Sequence, residues 1–69
     1  MQLPHIRLRS WWKNTKSNRV FMVAQKGYAD VDKKSVEHVW LLEYLTEEPK
    51  PMTAELMYQL IEQGTLVPA

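Results

Sequence analysis

The sequence predicts a small α+β domain, a three-stranded antiparallel sheet or small open barrel with one C-terminal helix. Three segments predict it: an alternating stretch at 5–13, an apolar β-branched stretch at 19–25, and a capped amphipathic stretch at 54–63. A ββαα arrangement is the alternative, because residues 36–45 read either as strand or as helix.

Along 5–13, Ile6, Leu8, Ser10 and Trp12 fall on one face, and Arg7, Arg9, Trp11 and Lys13 on the other. Asn14-Thr15-Lys16-Ser17-Asn18 supplies a polar turn of hairpin length. Residues 19–25 are β-branched and aromatic with no polar face, as in a central strand, and Gly27 with Asp30, Asp32 and two lysines marks a second loop. In 36–45, Val36, His38, Trp40, Leu42 and Tyr44 share a strand face. A helix there would be capped by Ser35 but would be apolar around most of its circumference, so the strand is preferred. Pro49-Lys50-Pro51 breaks the chain, because proline lacks a donor and restricts its predecessor. Thr53 is an N-cap for a helix whose apolar stripe is Leu56, Met57, Leu60 and Ile61, with Tyr58 outward and Gly64 at the stop. Thr65–Ala69 is a short tail suited to an edge strand or to covering the core.

The 69 residues fit one domain, 1–69, with a thin core: Leu, Ile, Val and Phe total 17, above the level of disordered chains. No cysteine is present, so neither disulfides nor thiolate metal ligands staple it. The longest apolar run, Val20–Ala24, is far too short to span a membrane, and the first five residues have no apolar signal region, so the expected compartment is cytoplasmic. The net charge of +1 conceals an asymmetry. Arg7, Arg9, Lys13, Lys16, Arg19, Lys26, Lys33 and Lys34 face only Asp30 and Asp32 in residues 1–34. Six glutamates face only Lys50 in the remainder. Two readings stand side by side: a basic face for nucleic acid or an acidic partner, and two halves that neutralise each other in the fold.

Catalytic patterns are missing. Gly27 and Gly64 cannot form a phosphate-cradling loop, and His5 and His38 have no zinc spacing. Asp30-x-Asp32 lacks the later residues of a calcium loop, and no serine sits in a nucleophile elbow. His38 reads as a partly buried sheet residue and Glu47-Glu48 as a solvated turn. The expectation is therefore a protein that is not an enzyme, with no catalytic residues, metal or cofactor. The constellation that stands out is Arg7, Arg9, Trp11, Lys13, Lys16 and Arg19. With Trp12 in the core, Trp11 points outward among cations that meet phosphates, and its indole face is a stacking platform. The competing structural reading has Trp11 cover one end of the core beneath arginine stems.

The run Ser10-Trp11-Trp12-Lys13-Asn14, a polar turn, then Arg19-Val20-Phe21-Met22-Val23, resembles the opening hairpin of small SH3-like or Tudor-like barrels. It is similar in particular to short orphan proteins of phages and other mobile elements, which share a terminal segment like Pro51-Met52-Thr53-x-Glu55-Leu56. The resemblance implies an open SH3-like barrel and a binding role, with Trp11, Trp12, Tyr28, Trp40 and Tyr44 as the aromatics available to a Tudor-type cage. A second resemblance is to the first two helices of a winged helix, over Val39–Glu48 and Met52–Leu56, without that fold's recognition helix. The function expected is a binding module, encoded by a phage or mobile element, that associates with nucleic acid through its basic, tryptophan-bearing strand. The alternative is an inhibitor or adaptor that binds a host protein. Homodimer formation stays open.

Overall fold

The computed structural model describes residues 6–69. Its elements are β1 (Trp11–Asn14), β2 (Val20–Val31), β3 (Lys34–Glu43), β4 (Lys50–Thr53), α1 (Ala54–Glu62) and β5 (Leu66–Pro68). All five strands form one antiparallel sheet in the order β4-β3-β2-β1-β5. The helix crosses one face and lies against β3, β4 and β5.

This corrects the expected three-stranded sheet or SH3-like open barrel: the architecture is α+β, but the sheet has five strands. The two added strands are the edges, of four and three residues, and contain Pro51 and Pro68. Segments this short carry no readable alternation. Proline, a breaker within a sheet, is tolerated at an edge, where only one neighbour needs its backbone. The ββαα alternative and the winged-helix resemblance both fall, because Lys34–Glu43 is a strand paired with β2 and β4.

Two boundaries also move. The strand expected at 5–13 begins only at Trp11, after a turn at Leu8 and Arg9; His5 lies outside the described residues. Strand β2 runs through Gly27, where a loop was expected. Gly27 pairs with His38, and a Cβ there would stand 3.4 Å from the Trp40 ring, so glycine makes room for an indole in the middle of a strand. The true reversal is Asp32-Lys33, both at positive φ (50° and 65°), the backbone of a two-residue type I′ hairpin turn.

The helix is placed as the sequence indicates. Thr53 accepts from the Leu56 amide at 3.2 Å. The C-terminus closes with Gly64 at φ 77°, donating to the Ile61 carbonyl, while Thr65 donates to Leu60. The stripe is rotated relative to expectation: Leu56 is exposed, and Tyr58 packs at the margin of the core. The core is Ile6, Trp12, Val23, Val39, Leu41, Met57 and Leu66, flanked by Phe21, Met52, Tyr58, Leu60 and Ile61.

Trp12 is the largest of these buried side chains, 6% exposed, with its indole N–H donating to Ser10 Oγ at 2.9 Å. Truncating a buried tryptophan costs about 3–5 kcal/mol. A chain this short has a total stability of roughly 3–10 kcal/mol. Trp12→Ala is therefore expected to unfold the protein, or bring it close to unfolding, at 25 °C, as read by far-UV circular dichroism and thermal melting.

Candidate functional site

Because Trp12 turns into the core, the pleat sends its neighbours Trp11 and Lys13 to the opposite face. The register extends that face across the sheet. Trp11 lies opposite Met22, which lies opposite Leu42, while Lys13 stands between Val20 and Val67. Tyr44, just past β3, is held by its amide donating to the Val20 carbonyl at 2.9 Å. Its ring meets Trp11 edge-on, with centroids 6.3 Å apart and planes at 69°. Trp11 is 41% exposed and Tyr44 62%. Between them lies an almost wholly apolar depression of about 350 Å³ lined by Trp11, Val20, Tyr44 and Ala69.

The turn before β1 is built with strain. Ser10 N–H donates to the Arg7 carbonyl (3.2 Å), and Ser10 Oγ donates to the same oxygen at 2.6 Å. The buried Trp12 indole thus holds the turn through Ser10. Arg9 N–H donates to Val23 O (2.7 Å) and Val23 N–H returns to Ser10 O (2.9 Å), so Arg9 and Ser10 together face one residue, as in a β-bulge. Arg9 sits at φ 66°, the third position of the turn, where glycine is the natural occupant. A left-handed backbone costs an L-residue roughly 1–2 kcal/mol.

The six expected site residues are all exposed and all belong to the turn, strand and loop that run from residue 7 to residue 19. They are not one face of one strand. Trp11 and Lys13 are on the outer pleat. Arg7 and Arg9 ride on the preceding turn, where the pleat does not dictate direction. Lys16 lies in the β1–β2 loop, where the Asn14 side chain accepts from the Lys16 and Ser17 amides (2.9 and 3.1 Å). Arg19 Nε pairs with Glu43 at 3.3 Å. Trp11 is outside the core cluster, which removes the reading in which it caps the core.

Sequence reasoning named Tyr44 only as a cage aromatic and did not assign Val20 to the site, because only register brings the two beside Trp11. Leu45 is 87% exposed at φ 68°, a second non-glycine residue in a glycine-type turn, closed by Thr46 N–H to Glu43 O at 3.0 Å. The Tudor-type cage is not assembled: Trp12 is on the core face, and Trp40 packs toward His38 (6.2 Å). His38 donates through Nδ1 to the Val36 carbonyl at 2.9 Å, a partly buried sheet residue as expected. Two further clefts exist. One, about 540 Å³, has Phe21, Leu41, Met52, Leu60 and Leu66 with Arg19, Glu43, Glu48 and Lys50 at its mouth; the other, about 530 Å³, borders Glu37, Glu55, Tyr58 and Glu62. Among the described residues no three His, Asp or Glu side chains are grouped to hold a metal, and no helix is long and apolar enough to cross a membrane.

Comparison with family models, curated proteins and solved structures returns no match for this chain.

Arg9→Gly relieves the left-handed strain and offsets it against glycine's extra unfolded-state entropy, roughly 0.5–1 kcal/mol. The expected result is a melting temperature equal to or above that of the parent, with a stability gain of up to about 1 kcal/mol.

Proposed function

We propose that this chain is a non-enzymatic binding module that associates with nucleic acid through Arg7, Arg9, Trp11, Lys13, Lys16 and Arg19. The observation that carries the reading is the exposed Trp11–Tyr44 corner on a sheet face that also carries Lys13. No Asp or Glu occurs before Asp30, so β1, the β1–β2 loop and β2 as far as Ala29 are free of carboxylates of their own. Cations neutralise phosphates and release condensed counterions, and an exposed aromatic ring supplies a sequence-tolerant stacking surface. The strain at Arg9 fits the same reading, since a cation occupies a position where the backbone favours glycine. A cytoplasmic setting belongs to the proposal. So does an origin in a phage or other mobile element, which rests on the hairpin resemblance alone.

A second reading is favoured by Leu45, whose near-complete exposure beside Tyr44 gives a nucleotide little to use. Tryptophan, tyrosine and arginine are also the residues that anchor protein interfaces. Under that reading the exposed aromatics bind a host protein, which the chain serves as an inhibitor or adaptor.

Salt separates the two. With Arg7, Arg9, Lys13 and Lys16 on phosphates, the slope of log affinity against log salt is expected to be about −3 for a single strand. Fluorescence anisotropy with a labelled oligonucleotide measures it. Arg7→Glu with Arg9→Glu is expected to abolish that binding while leaving the circular dichroism spectrum unchanged, because both residues are exposed. An affinity independent of salt excludes nucleic acid.

Glu43 restrains the fifth contact. The Arg19–Glu43 pair is half exposed, with side chains 67% and 32% accessible, and contributes at most about 1 kcal/mol. Glu43→Gln is expected to leave stability within that margin and to steepen the salt slope by about 0.7 as Arg19 becomes available to phosphate.

A further inference from the structure

Resting on the nucleic-acid reading, we propose that the ligand is single-stranded and places one unpaired base in the corner between Trp11 and Tyr44. The geometry argues for a single base. With ring planes at 69°, the two aromatics cannot act as successive parallel platforms. A base lying flat on the Trp11 indole meets the Tyr44 ring at its side and Val20 beneath, within a depression that is apolar on every wall. A base inside a duplex has both faces covered by its neighbours, so only an extruded or unpaired base reaches such a corner. Lys13, two residues along on the same face and opposite Val20, stands where a phosphate beside that base would lie. The lining is almost wholly apolar, with the Trp11 indole N–H and the Tyr44 hydroxyl as its side-chain polar groups, so the contact is mainly stacking and tolerant of base identity.

The test uses the intact chain and three labelled ten-mers at one salt concentration: oligothymidine, the same strand annealed to its complement, and a sugar–phosphate strand of abasic sites. Wild type, Trp11→Ala and Trp11→Phe are compared, with circular dichroism to establish folding. The expected result is that oligothymidine binds roughly tenfold or more tighter than either other polymer. Trp11→Ala brings it down to the abasic level, and Trp11→Phe recovers most of the difference. Trp11→Phe keeps the comparison decisive if the alanine variant is unstable. Equal, salt-sensitive binding of all three polymers overturns the single-base inference and leaves the nucleic-acid reading intact. No binding of any of them overturns both, and the corner then reverts to a protein-contact surface.

Discussion

Burial of Trp12 sets both the fold and the surface. The indole fills the space between the sheet and α1, and its N–H is satisfied by Ser10 Oγ, which is itself tied to the Arg7 carbonyl. An unsatisfied indole N–H in that position costs about 1–3 kcal/mol, so Ser10 is held where it is and the turn carrying Arg7 and Arg9 is held with it. The pleat does the rest. With Trp12 inward, Trp11 and Lys13 have no alternative to the outer face. A one-residue slip in the pairing of β1 with β2 would exchange the two tryptophans and lose both the core and the exposed platform.

Among the described residues the backbone departs from easy geometry at five non-glycine positions: Arg9, Asn18, Asp32, Lys33 and Leu45. Three of these are turn chemistry. Asn18 ends the β1–β2 loop, and Asp32-Lys33 closes the long hairpin, where the right-handed twist of the strands demands positive φ. Arg9 and Leu45 are different, since neither residue type suits a left-handed turn and glycine would serve both. They lie at the ends of the two segments that contribute Trp11 and Tyr44: Arg9 two residues before the tryptophan, Leu45 immediately after the tyrosine. Among the described residues, the positive-φ positions outside ordinary hairpin turns thus lie at the borders of one exposed aromatic pair.

Local signals in the sequence were legible where one residue decides one conformation. The Thr53 cap, the Gly64 stop, the polar β1–β2 loop and the inward Trp12 all follow from short-range chemistry, and the α+β class follows from them. Register and edges were not legible. Lys50–Thr53 is too short and too rich in proline to announce itself, and Leu66–Pro68, suited from the sequence to an edge strand or to covering the core, takes the edge because β1 presents an open ladder to it. Gly27 reads as punctuation until Trp40 is seen lying against it. The site divides in the same way. Its cations and Trp11 are visible as a cluster along the chain, whereas Tyr44 is separated from Trp11 by more than thirty positions and reaches it only through the Trp11–Met22–Leu42 row.

The charge asymmetry of the sequence acquires a spatial meaning from the same topology. Residues 6–29 carry cations and no carboxylate, while Glu37, Glu55 and Glu62 border one cleft beside α1, and Glu43 and Glu48 border another with Arg19 and Lys50. The two halves make little direct contact between opposite charges. Among the described residues the single ion pair between them is Arg19–Glu43. That pair lies on the helix side of the sheet, opposite the aromatic corner: Glu43 stands across from Phe21, and Arg19 and Glu43 border the cleft that contains Leu41 and Leu60. Exposed and weakly coupled, it contributes little to folding. The pairing keeps the Arg19 guanidinium on the helix side of the sheet, apart from Trp11 and Tyr44 on the outer face.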